Sequence, residues 1–378
     1  MDRFAGDAAA RNNYLPALTG LRGIAAAWVL LFHLYQYSGS PDLGPLTSLA
    51  GCGYMGVDLF FVLSGFLLSM PFHRARMEAA PSPNLLRYAW RRCKRVLPAY
   101  YVQIIVIVCA LLYVGHAEMV TFSNLAAHAF LIQNFFPQQP LLNGIYWTMP
   151  IEWDFYAALP LILVLFTRLR SAATWIVLFA LTLAFRYACV RANGDAAWAA
   201  WVDYGRIMQL PARLDEFFYG IVGAWIYLRY PISLRTARLL VVVGVAGIIG
   251  AMAAFHFVGN FIDEPRMPWT LLYFTWMGLS FGAIVLGAAV TPHLLDARPV
   301  AWLGLISYSL YLWHYPLLKT AQYFSWTAWG DGTAFLRNTV LLAPGILLVS
   351  WLSQHFVERP FLVSRRGHAH GMPASLEN

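Results

Sequence analysis

Long apolar runs alternate with short polar connections along almost the whole chain. Ten runs have membrane-span length: residues 18–37, 54–73, 97–114, 147–167, 172–190, 210–228, 239–257, 269–290, 301–318 and 338–356. About 20 helical residues cross a bilayer. A further stretch, 121–136, has helical periodicity but carries Asn124, His128, Gln133 and Asn134, which makes it a poor lipid-facing span. The pattern predicts an all-α polytopic membrane protein of about ten transmembrane helices, with 121–136 as a re-entrant or interfacial helix.

Basic residues set the orientation, because cytoplasmic connections collect Lys and Arg. The connection 74–96 holds Arg74, Arg76, Arg87, Arg91, Arg92, Lys94 and Arg95. With 121–136 left out of the span count, 18 of the 26 basic residues fall on the cytoplasmic side, Arg3 and Arg11 among them. Counting it as a span inverts every later connection and reverses the bias. Both termini are therefore expected in the cytoplasm. The expected organisation is a cytoplasmic N-terminal segment (1–13), one membrane domain (14–360) and a basic, flexible cytoplasmic tail (361–378). No cleavage pattern follows the first apolar run, so it reads as a retained span.

Composition excludes several classes. The 378 residues are 60% hydrophobic and 12% charged, with a mean hydropathy of +0.57. Soluble domains run near half apolar and a quarter charged. A soluble enzyme, a disordered chain and a nucleic-acid binder are excluded despite the net charge of +8. Membrane lipid is the expected surrounding. Cys52, Cys93, Cys109 and Cys189 show no metal-ligand spacing, and no metal is expected; a Cys52–Cys189 bridge stays open.

Polar residues inside the spans carry the candidate chemistry. Arg22 and His33 stand eleven residues apart on the first span, nearly three turns, so both face one side. This suits a long anionic ligand, with Arg gripping phosphate and His working deeper; a snorkelling Arg and a hydrogen-bonded interior His fit the spacing as well. Asp58 and Ser64 share the second span, where Gly56 and Gly65 allow close helix contact, though no GxSxG surrounds the serine. Arg92 and Arg95 lie in a basic run ending at Pro98, either an ordinary positive connection or a phosphate site. Glu152 and Tyr156 are one turn apart, Glu152 and Asp154 point to different faces, and one of these acids orients a histidine or binds an acceptor hydroxyl unless both are exposed acids in an aromatic belt. Arg213, Asp215 and Glu216 read as a local ion-pair network. Tyr308, Tyr311 and His314 share a helix, and Glu358 is expected to cap the last span.

Together, LTGLRGIAAAWVLLFH, GVDLFFVLSGFL, RRxxRVLPxYY, YWTMPIEWDFYxxLP, LDEFFYGIVGAW, LGLISYSLYLWHYP and VERP resemble the bacterial membrane acyltransferase family 3, from Tyr14 to Pro360. The family's Arg-x10-His pair falls on Arg22 and His33, its Phe-Phe-x-x-Ser-Gly on Phe60–Gly65, and its paired arginines on Arg92 and Arg95. Its Trp-Ser-Leu-x-x-Glu becomes Trp147-Thr148-Met149-Pro150-Ile151-Glu152, which keeps the acid and loses the serine.

The resemblance implies acyl transfer from a cytoplasmic acyl-CoA, acetyl-CoA first, to a hydroxyl of a lipid-linked or cell-surface polysaccharide. It implies a protein of the bacterial inner membrane in which His33 is general base on the acceptor hydroxyl or briefly takes the acyl group itself, Glu152 orients His33 or the sugar, and Arg22, Arg92 and Arg95 meet the donor's phosphates. Asp58, Ser64, Tyr156, Arg213, Tyr308 and His314 are substrate-binding or structural. It also implies a stand-alone member, without a fused hydrolase-like domain. A small natural product such as a macrolide is the alternative acceptor. A proton-coupled transporter or flippase is the alternative of another class, disfavoured by the lack of two related halves.

Overall fold

The computed structural model describes residues 15–136, 138–168, 172–191, 208–258, 267–291, 293–295 and 297–362. The expected segment 1–13 and most of the tail 361–378 lie outside the described residues. Every regular element among them is helical. The long helices are α1 (Pro16–Gln36), α2 (Gly56–Met77), α3 (Leu85–Tyr113), α5 (Thr148–Arg168), α6 (Ala172–Arg191), α7 (Leu210–Arg229), α8 (Leu234–Val258), α9 (Met267–Val290), α10 (Arg298–Tyr323) and α11 (Gly332–Ser353). The eight-residue α4 (Phe122–Ala129) sits between α3 and α5.

Starts follow local chemistry. Proline opens α1, α7 and α10, where its missing N–H breaks no helix bond. Asn84 caps α3 and Asp331 caps α11 by accepting first-turn N–H groups. Seven helical stretches are long and apolar enough to cross a membrane, and Trp175–Cys189 is a shorter apolar helix. Neither α7 nor α10 is apolar enough to join the seven, because each carries polar residues that neighbouring helices shield.

Helix directions decide the status of 121–136. Along α3, Tyr88 bonds to the Tyr156 carbonyl of α5, and Gln103 accepts from Tyr146 just before α5, so the two helices are antiparallel. A crossing segment between them would make them parallel. Residues 114–136 and 138–147 thus stay at one end of the bundle, with α4 lying there and the Tyr100 hydroxyl donating to the His128 carbonyl.

The predicted 97–114 span is longer than expected. The arginine run continues the helix instead of forming a loop, so α3 starts at Leu85 and Pro98 lies inside it. Lys and Arg are good helix formers, and a membrane helix tolerates an internal proline where neighbours satisfy the freed groups.

Two glycine contacts set the central packing. A Cβ on Gly23 of α1 would stand 2.6 Å from the Gly304 backbone nitrogen of α10, and one on Gly65 of α2 would stand 2.0 Å from the Phe217 carbonyl oxygen of α7. Close backbone approach replaces side-chain interdigitation at both crossings. Residues 19–23 meet 300–304, and His33 meets His314, so α1 and α10 run parallel.

Candidate active site

The parallel pair α1 and α10 carries two polar stations. At the first, Arg22 lies in the electrostatic reach of Arg95, Glu152, Tyr156 and Glu358, and has no hydrogen-bonding or ion-pair partner among the described residues. At the second, His33 Nδ1 lies 3.0 Å from the Val29 carbonyl oxygen and 3.1 Å from His314 Nε2. His314 Nδ1 in turn lies 3.0 Å from the Leu310 carbonyl oxygen. Both histidines thus bond one turn back on their own helix, a geometry that the backward tilt of helical side chains favours.

Aromatic rings wall the second station. The His33 ring meets Phe32 edge-on at 4.9 Å and Tyr315 at 5.2 Å, and Tyr311 lies 5.8 Å from His314. Tyr315 continues to Tyr37 at 5.9 Å, toward the end of α1. Phe60 of α2 stands 6.0 Å from Tyr311, and the Thr148 and Tyr311 hydroxyls are 2.9 Å apart.

Glu152 belongs to the first station. Its Oε1 accepts from the Ser64 hydroxyl at 2.9 Å and the Tyr156 hydroxyl at 2.6 Å. The expectation that Glu152 orients His33 is corrected: the imidazole contact of His33 is His314, and Glu152 faces the Arg22 end. The reason is register, since α5 meets α2 at Ser64, nearer the Arg22 end than the His33 end.

The three arginines separate. Arg95 Nη1 is 2.9 Å from Glu358 Oε2, and its guanidinium lies over the Tyr308 ring at 5.7 Å. Glu358 is buried and also accepts from Ser309, so it binds α3 and α10 together and is not the simple helix cap expected. The π-helical turn Gln354–Glu358 turns it inward. Tyr308 donates to the Val96 carbonyl at 2.8 Å. Arg92 sits over Tyr156 at 6.0 Å, and its buried Nε has no hydrogen-bond partner. Arg22 and Arg92 therefore remain available to an anion, while Arg95 is already compensated.

Asp58 and Arg213 lie in a separate buried network. Arg213 pairs with Glu216 at 2.6 Å and with Asp58, and stacks on Phe274 at 3.8 Å. Asp215, which its spacing places with Arg213 and Glu216, does not join them. It pairs with the fully buried Arg186 at 2.6 Å and accepts from Thr275. Arg186 also donates to the Ala212 and Leu271 carbonyls. Consecutive acids on a helix point about 100° apart, which divides Asp215 and Glu216 between two arginines. Sequence reasoning missed Arg186, whose signal was an arginine inside an apolar span. No disulfide joins Cys52 and Cys189, and no group of three or more metal-ligating side chains occurs among the described residues.

Membrane-length helices enclosing an imidazole pair and guanidinium groups without ion pairs define a multi-pass membrane protein. The chain belongs to the membrane acyltransferase family that its motifs resemble: the acyltransferase domain matches residues 15–355. It is 26% identical over 378 residues to the O-acetyltransferase OatA of Staphylococcus aureus (strain NCTC 8325 / PS 47), covering 92% of this chain and 57% of that protein. The peptidoglycan O-acetyltransferase OatA of Listeria monocytogenes is also 26% identical, over 382 residues, with 92% and 56% covered. So is the putative peptidoglycan O-acetyltransferase YrhL of Bacillus subtilis (strain 168), with 92% and 55% covered. The chain thus spans little more than half the length of the curated relatives it matches. No solved structure matches it.

Proposed function

We propose that the protein is a membrane O-acetyltransferase, moving an acetyl group from a cytoplasmic acyl-CoA to a carbohydrate hydroxyl. The observation that carries this reading is the placement of His33 and Arg22 on one helix. One end offers an imidazole nitrogen, Nε2, with no hydrogen bond among the described residues; the other offers a guanidinium with no ion pair or hydrogen bond among them.

Arg22 and Arg92 suit the donor's phosphates, since neither guanidinium bonds directly to a carboxylate among the described residues. A pantetheine arm is long enough to carry the thioester along α1; eleven residue steps, at about 1.5 Å rise each, set the reach at about 16 Å. At the far station His33 takes the proton of the acceptor hydroxyl. The oxygen attacks the thioester carbonyl, the C–S bond breaks, and the proton goes to the leaving thiolate. The products are an O-acetyl ester and free thiol. The acceptor enters past Tyr315 and Tyr37, from the outer side or the membrane plane. The names of the relatives favour a cell-wall or surface glycan over a small natural product.

The test is purified protein in lipid with acetyl-CoA labelled in the acetyl group and a glycan acceptor, following thiol release and labelled ester together. Wild type is expected to produce both in equal amount, and His33→Ala neither. Acceptor movement into vesicles without thioester consumption would replace the enzyme by a transporter.

A further inference from the structure

We propose that His314 is a positioning residue that fixes the proton of His33 on Nδ1 and so leaves Nε2 bare for the reacting hydroxyl. This rests on the reading of His33 as the base.

The argument follows the hydrogens. A backbone carbonyl only accepts, so the contact of His314 Nδ1 with the Leu310 oxygen at 3.0 Å places a hydrogen on that nitrogen. A neutral imidazole carries one N–H, so His314 Nε2 is an acceptor. It faces His33 Nδ1 at 3.1 Å, and the Val29 carbonyl faces the same nitrogen at 3.0 Å. Two acceptors therefore converge on one nitrogen of His33, which must supply the hydrogen to both. The opposite tautomer would set three lone pairs against one another in a site walled by aromatic rings.

A carboxylate usually performs this orienting task behind a catalytic histidine. A second imidazole performs it without a fixed negative charge at membrane depth, where such a charge is expensive. When His33 takes up the acceptor's proton on Nε2, its Nδ1–H bond to His314 becomes charge-assisted and stronger. His314 thus contributes to the charged intermediate state more than to the resting one.

The full chain in lipid, labelled with 15N-histidine, tests the assignment by NMR, with the His33 signals assigned through their loss in His33→Gln. The expected wild-type spectrum at neutral pH has His33 protonated at Nδ1 and bare at Nε2. His314→Phe, which keeps ring volume, is expected to mix the tautomers and lower kcat by about 100-fold, with KM for acetyl-CoA changed by less than about twofold. His314→Gln, whose side-chain oxygen accepts the same N–H, is expected to retain at least about tenfold more turnover than the Phe variant. A wild-type His33 protonated at Nε2, or Phe and Gln variants of equal turnover, would overturn the proposal. The spectrum reads the tautomer even if the protein transfers no acetyl group, which separates failure of this inference from failure of the enzymatic reading.

Discussion

His314 Nε2 and His33 Nδ1 stand 3.1 Å apart although 281 residues separate them in the chain. The contact follows from the parallel crossing of α1 and α10, which is tight because Gly23 lies against Gly304. Ten residues beyond that crossing on either helix lie the two histidines, so equal helical rise brings them level.

His33→Ala is expected to lower acetyl transfer by at least about 100-fold, the usual contribution of a positioned base. Thermal stability should change little, because the ring is only half-buried and Val29 and His314 are its sole hydrogen-bonding partners among the described residues. Turnover and melting temperature of one preparation check both; a variant keeping most of its turnover would remove His33 from the mechanism.

Arg22→Ala is expected to raise KM for acetyl-CoA by about tenfold or more, the loss of one charge-assisted bond. Acceptor KM should hold. An effect confined to the acceptor would place the phosphates elsewhere.

Arg95→Ala should act first on stability. It strands the Glu358 carboxylate, whose side chain is 1% exposed, while Arg95 itself is 20% exposed. Breaking a buried pair destabilises by about 3–5 kcal/mol, and the partial exposure of Arg95 places this case at the low end or below. The double variant Arg95→Ala with Glu358→Gln should melt above the single one. Equal melting temperatures would show that the pair carries no coupling.

Glu152→Gln keeps an oxygen for the Ser64 and Tyr156 hydroxyls and removes the charge facing Arg22. The fold should persist and turnover fall, as read by side-by-side melting and transfer assays. Unchanged turnover would make Glu152 a packing residue.

Gly65→Val is expected to destabilise by about 1–3 kcal/mol or more, since its Cβ would meet backbone and not a flexible side chain. Thermal unfolding in lipid measures it.

Much of the architecture was legible before any coordinates. The non-crossing character of 121–136 came from the charge balance alone, and the antiparallel α3 and α5 agree with it. The alignment of Arg22 with His33 followed from helical periodicity. Less legible were the partners across helices. Asp215 looked like a partner of Arg213 from spacing and instead meets Arg186; Glu358 looked like an end cap and is a buried tie between three helices. Periodicity assigns a face to a side chain but does not say which helix that face meets.

The sequence by itself determined the helices and the residues too polar to face lipid, because each follows from local periodicity and the cost of burying charge. Only the tertiary structure decided which of those residues meet. Helix crossings set by glycines hundreds of residues apart put an imidazole behind His33, gave Glu152 to the opposite station, and left Arg22 rather than Arg95 uncompensated.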